Sequence, residues 1–91
     1  MEDLDHREAE DLQISRYYFS TGDFNAAYLR AKDAVSVIPD DPEAHFALAQ
    51  SAEHLKKTPE AVVEYNAYLK MEPDGPKAKA ALHALETLPQ K

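Results

Sequence analysis

The chain has 91 residues and an apolar fraction of 44 %, enough for one small domain with a thin core. Its formal net charge of −7 opposes a phosphate backbone and an anionic bilayer, so neither nucleic acid nor membrane is an expected partner. There is no cysteine, which excludes a disulfide framework and any thiolate-ligated metal.

No apolar run approaches the length of a bilayer span, and residues 1–20 do not resemble a signal peptide. The expected setting is soluble, with the cytoplasm favoured. The apolar spacing is helical throughout, and no stretch alternates with period two. After an acidic lead-in over 1–7, a first helix is expected near 5–20. Asp5 and Glu8 have capping-box spacing, and Leu12, Ile14, Tyr17, Tyr18 and Phe19 are its apolar set. Ser20-Thr21-Gly22-Asp23 turns the chain into a second helix near 24–37. There Phe24, Ala27, Tyr28, Ala31, Ala34, Val35 and Ile38 step mostly by three and four.

Asp41 followed by Pro42 reads as an N-cap and a first-turn proline, opening a third helix near 42–56 with Ala44, Ala47, Leu48, Ala52 and Leu55 inward. Thr58-Pro59 repeats that grammar for a fourth helix near 59–71, whose stripe is Ala61, Val62, Tyr65, Tyr68 and Leu69. Gly75-Pro76 opens a last helix near 76–87, with Ala78, Ala81, Leu82, Leu85 and Leu88. All six prolines fall at the edges of these stripes or between them, as an all-helical chain requires. Connections this short make neighbouring helices antiparallel. Acid concentrates in residues 1–11 and base in residues 76–91. Helix ends favour that distribution, and it also suits basic-on-acidic, head-to-tail stacking.

Shifted by 34 residues, the chain matches itself. Ile14, Leu48 and Leu82 coincide; Ala27 falls on Ala61, Val35 on Leu69, Pro39 on Pro73, Asp40 on Asp74, Pro42 on Pro76, Ala44 on Ala78 and Ala47 on Ala81. A period of about 34 with two helices per unit is the mark of the tetratricopeptide repeat. The family's pattern of large apolar, Leu, Gly, Tyr, then Ala, aromatic, Ala and Pro meets Asp11, Ile14, Ser15, Tyr18, Ala27, Ala31, Ala34 and Pro39 in residues 8–41. In residues 42–75 it meets His45, Leu48, Ala49, Ala52, Ala61, Tyr65, Tyr68 and Pro73. The chain therefore resembles this family. It departs from the pattern at Asp11 and His45 in the bulky position, at Ala31 in the aromatic one, and at Lys56-Lys57-Thr58, which replaces a glycine turn.

The resemblance implies an all-α fold, an α–α superhelix of two helix-turn-helix hairpins (8–41 and 42–75) with a capping helix and tail over 76–91. It implies a concave groove lined by the first helix of each repeat. The matching positions are Ala9, Leu12, Arg16 and Phe19, then Glu43, Phe46, Gln50 and Glu53, then Lys77, Ala80 and Ala84. An exposed Phe46 among polar groups would suit a peptide groove. The alternative for Phe46 and Phe19 is packing against a neighbouring helix. The family's carboxylate clamp for chaperone tails maps onto Leu12, Arg16, Ala47, Lys77 and Ala81. Only Lys77 agrees, so no such clamp is expected.

Catalytic, cofactor and metal sites are not expected. His6 and Glu10 lie four apart but match a solvated helix face better than a metal pair, and there is no phosphate loop and no H-E-x-x-H. Nothing in the sequence places two carboxylates in a dry pocket. The five tyrosines read as core residues with hydroxyls reaching water. The expected function is binding of a protein or peptide in the groove. The alternative is assembly, through an end-to-end homodimer or as part of a longer array. Three repeats are the usual minimum for stability, and here there are two and a cap.

Overall fold

In the computed structural model, residues 4–89 are described, with side chains from Arg7 onward. The lead-in, the Asp5–Glu8 capping contact and the side chain of His6 fall wholly or partly outside them. The described residues form five helices: α1 Leu4–Thr21, α2 Phe24–Val37, α3 Pro42–His54, α4 Thr58–Met71 and α5 Ala78–Thr87. Consecutive helices pack on one another, and α1 also meets α3, so α3 is central and touches α1, α2 and α4.

Two caps follow the sequence logic. Asp23 accepts a hydrogen bond from the Ala26 N–H at 3.2 Å, and Asp41 accepts one from the Glu43 N–H at 2.9 Å. Two helix starts differ from expectation. Thr58 is not a capping residue: it begins α4, and Lys57 holds the cap position without a side-chain hydrogen bond. α5 begins at Ala78 rather than at Pro76, because the chain first turns through Gly75 and Lys77. The Tyr68 hydroxyl reaches across this turn to accept the Lys77 N–H at 3.0 Å, satisfying a donor that the helix has not yet engaged. Gly75 is required there. A Cβ at that position would lie 2.5 Å from the Tyr68 hydroxyl and 2.7 Å from Glu72 Cβ.

The helices approach closely because alanines meet at the seams. Ala27, Ala31, Ala34, Ala44, Ala49, Ala52, Ala61 and Ala81 are all fully buried. Ser15, in the family's glycine position, donates its hydroxyl to the Ala27 carbonyl at 2.8 Å and so ties α1 to α2. Around this alanine frame the large groups fill the remaining space: Phe46, Leu48, Tyr65 and Tyr68 of the second hairpin form one cluster with Tyr28 of the first, and Leu12 joins Ala34 and Ala44 in a second. Phe46 packs edge-on against Tyr65 and Tyr68, with centroids 5.7 and 5.4 Å away. The hydroxyls of the buried tyrosines meet protein partners. Tyr28 donates to Glu60 at 2.7 Å, Tyr65 donates to Glu53 at 2.6 Å, and Tyr68 serves Lys77 as described.

The departures from the family pattern have physical partners. Asp11 is paired with Arg30 at 3.1 Å. One repeat later, His45 meets Glu64 through Nδ1, while its Nε2 lies 2.6 Å from the Pro39 carbonyl. Both partners are acceptors, so both contacts are hydrogen bonds together only with a hydrogen on each ring nitrogen. The two contacts occupy the same 34-residue register with acid and base exchanged between the helices, His45–Glu64 being an ion pair only when the imidazole is protonated. Lys56 lies one repeat after Gly22, and both have positive φ, +64° and +89°. Lys56 therefore occupies a left-handed conformation that glycine adopts without steric cost.

Three outcomes are expected from urea denaturation. Lys56→Gly raises stability by about 0.5–1 kcal/mol. Gly75→Ala lowers it by about 1–3 kcal/mol through overpacking against Tyr68 and Glu72. His45→Asp is strongly destabilising because it sets two acids together, and adding Glu64→Arg, which rebuilds the Asp11–Arg30 polarity, restores part of the loss.

Candidate functional site

The groove residues expected from the sequence divide into three groups in the structure. Leu12 and Phe46 are buried, each only 5 % exposed, so neither offers itself to a partner. This corrects the reading of Phe46 as an exposed anchor. Its ring is held between Tyr65 and Tyr68, with the Lys77 ammonium 5.3 Å from its centroid. Ala84 is likewise buried, whereas Ala9 and Ala80 are exposed.

Charged residues form the second group, and one cluster gathers members of all three first-helix segments. Arg16 of α1 and Lys77 just before α5 both donate to the same oxygen of Glu43 on α3, Arg16 at 3.5 Å and Lys77 closer. Two cations thus share one carboxylate, leaving a local net charge of +1 on a strongly acidic chain. Glu53 stands apart from this cluster and accepts the Tyr65 hydroxyl. Burial and the Glu53 carboxylate both push the Tyr65 hydroxyl well above the ordinary tyrosine range. The Glu60 carboxylate, helped by burial, raises Tyr28 in the same direction, against a smaller opposing effect of Lys32.

The third group borders an open cavity. Arg16, Phe19 and Gln50, with Ser15, Ser20, Ala47 and Ser51, line a space of about 130 Å³ between α1 and α3. Phe19 forms one wall. Its ring is edge-on to Phe24 at 5.2 Å and to His54 at 5.1 Å, while Phe24 and His54 stack at 4.3 Å. The Ser51 hydroxyl is buried and has no hydrogen-bond partner, and the Ser15 hydroxyl is spent on Ala27. Ser15, Ser20, Ala47 and Ser51 were not among the expected groove residues. The available signal was the pairing of small residues four apart on α3, Ala47 and Ser51, opposite Ser15 and Phe19 four apart on α1.

The fold is thus a stack of two matched hairpins and a fifth helix, with an unfilled cleft between the first helices. A profile described as "Tetratricopeptide repeat" matches residues 18–85, about three-quarters of the chain. The chain belongs to the tetratricopeptide-repeat family. Comparison with curated proteins and with solved structures gave no match. Repeats of this family generally mediate protein–protein interaction and typically serve as scaffolds rather than enzymes. Among the described residues of this tetratricopeptide-repeat chain, no helix is long and apolar enough to cross a membrane. No three His, Cys, Asp or Glu side chains among them are grouped to hold a metal ion.

The raised tyrosines set an alkaline limit on the fold. Their folded-state values lie above the unfolded value of about 10, so their contribution is intact below that pH and is lost as pH rises toward the folded value. Thermal melts should therefore show stability falling above about pH 10. Tyr65→Phe should be less stable at neutral pH yet lose less on alkalinisation, with the remaining slope due in part to Tyr28.

Proposed function

We propose that this tetratricopeptide-repeat chain is a protein-interaction module that takes a segment of a partner protein along the concave face formed by α1, α3 and the start of α5, and that it catalyses no reaction. The cavity between α1 and α3 carries this reading: the chain's own side chains leave it unfilled, and Arg16, Phe19 and Gln50 border it. Close packing is the rule in protein interiors, so an apolar recess beside exposed polar groups is suited to receiving a side chain from outside. Glu43 and Lys77 extend the face toward α5, and Glu53 lies further along α3. The partner is a peptide or a helix, and no nucleic acid, metal or cofactor enters the reading.

A second reading is self-association, and one observation favours it. Leu82 is 51 % exposed, although Leu48 at the same register one repeat earlier is buried. No further second helix covers that side of α5 among the described residues. An end-to-end homodimer, or a neighbouring unit in a longer array, would use this face.

The two readings separate in one comparison. Phe19→Ala with Arg16→Glu alters the cleft without touching the buried cluster, unlike Phe46→Ala, which should cost about 3–5 kcal/mol and confound any binding result. Pull-down with wild type and the double variant should recover the same protein from wild type only. Recovery by both moves the site off this face. Sedimentation across a wide concentration range tests the second reading: a Leu82→Lys variant should shift the chain toward monomer, and an unchanging wild-type monomer sinks it.

A further inference from the structure

The cleft has a chemistry specific enough to describe its guest. We infer that the partner segment is acidic and aliphatic: one side chain of leucine or methionine size enters the α1–α3 cavity, and a neighbouring side-chain carboxylate binds Arg16. This inference rests on the interaction reading above and narrows it.

Size sets the first constraint. The cavity measures about 130 Å³, close to the roughly 150 Å³ apolar space that accommodates a benzene-sized guest. One aliphatic side chain of leucine or methionine size is enough to fill it. The walls set the second constraint. The Phe19 ring, the Ala47 methyl group and the aliphatic stem of Arg16 are apolar, and the Ser15 hydroxyl is already bonded to the Ala27 carbonyl. A charged guest would lose its hydration without compensation.

Charge supplies the flank. Lys77 binds Glu43 more closely than Arg16 does, and the 3.5 Å Arg16–Glu43 separation is long for a charge-assisted hydrogen bond. The Arg16 side chain is 57 % exposed at the border of the cavity, and only one of its nitrogens is engaged by Glu43. An incoming carboxylate can take the planar guanidinium in a two-point contact while Lys77 keeps Glu43 neutralised. The chain's overall charge of −7 disfavours a long polyanion, but at physiological salt charges beyond about 8 Å are largely screened, so a single carboxylate at Arg16 is governed by its immediate neighbours. The contact is with a side-chain carboxylate within a chain, so it needs no free chain terminus.

Titration of the 91-residue chain with end-blocked heptapeptides, followed by amide NMR shifts, tests this. The probe has a single leucine between aspartates; one control replaces leucine by serine, and another replaces the aspartates by lysines. The probe should shift Phe19, Ala47, Gln50 and Ser51 saturably. The serine control should bind at least about tenfold more weakly. Arg16→Gln should weaken the probe by up to about fivefold at low salt and by less at high salt. Ala47→Leu, which fills the cavity from within, should abolish binding; if that variant does not fold, Arg16→Gln still carries the test. Equal or tighter binding of the lysine peptide at the same amides overturns the acidic assignment and leaves the interaction reading standing. Shifts confined to α2, α4 or the Leu82 side of α5, or no shift with any peptide, overturn both.

Discussion

The close approach of paired helices at fully buried alanines is the constraint on which the rest of the molecule depends. Ala27 against α1 and Ala61 against α3 bring the backbones near enough for Ser15 to bond directly to the Ala27 carbonyl. Where the helices are this near, the seam positions hold alanine or serine. Phe46, Tyr65 and Tyr68 meet inside the second hairpin, and Tyr28 of the first joins their cluster and bonds to Glu60 across the junction. The same cluster takes in Tyr28 and Ala31 of α2 and Ala78, Ala81 and Ala84 of α5, so burial in the second hairpin is shared with both of its neighbours.

The same constraint shapes the cleft. Small residues permit a close seam where a neighbour fills the space, and they leave a recess where none does. Ala47 and Ser51 on α3 face Ser15 and Phe19 on α1 across such a recess. Polar and charged side chains then border it on the side away from the hairpin interior. Arg16, Glu43 and Lys77 tie the three first-helix segments together across the face, so their relative positions are electrostatically coupled as well as packed. A segment bound there would touch a surface already held in place, which lowers the ordering cost of binding.

Much of this architecture is legible in the sequence, because local and global signals agree. The 34-residue self-match, the Asp41-Pro42 start and the Gly22-Asp23 turn each predict what the structure contains. Legibility fails where one residue serves another element. Phe46 lies on the register of the groove, but a helical register does not say how far the next helix reaches over it, and Tyr65 and Tyr68 cover it. The start of α5 is delayed by a hydroxyl from α4 that no local pattern announces. Thr58 looks like a cap, yet Lys57 holds that position. The cavity is harder still to foresee, since it consists of small residues on two helices whose separation the sequence does not state. The family itself is shown by the match over residues 18–85.

The reversed ion pairs bear on how the chain finds its fold. Two repeats with the same register invite error: α1 could adopt α4 as its partner, or α3 could adopt α2, with nearly identical alanine seams. Asp11 with Arg30 and His45 with Glu64 make those exchanges unfavourable. A swapped α1–α4 hairpin would bury Asp11 against Glu64, and a swapped α2–α3 hairpin would set Arg30 against His45. The α1–α4 exchange would bring two carboxylates together, and the α2–α3 exchange two bases, while each native pairing joins an acid to a base. The exchange of acid and base between the two contacts is thus the one polar difference at this register between two repeats whose alanine seams nearly coincide.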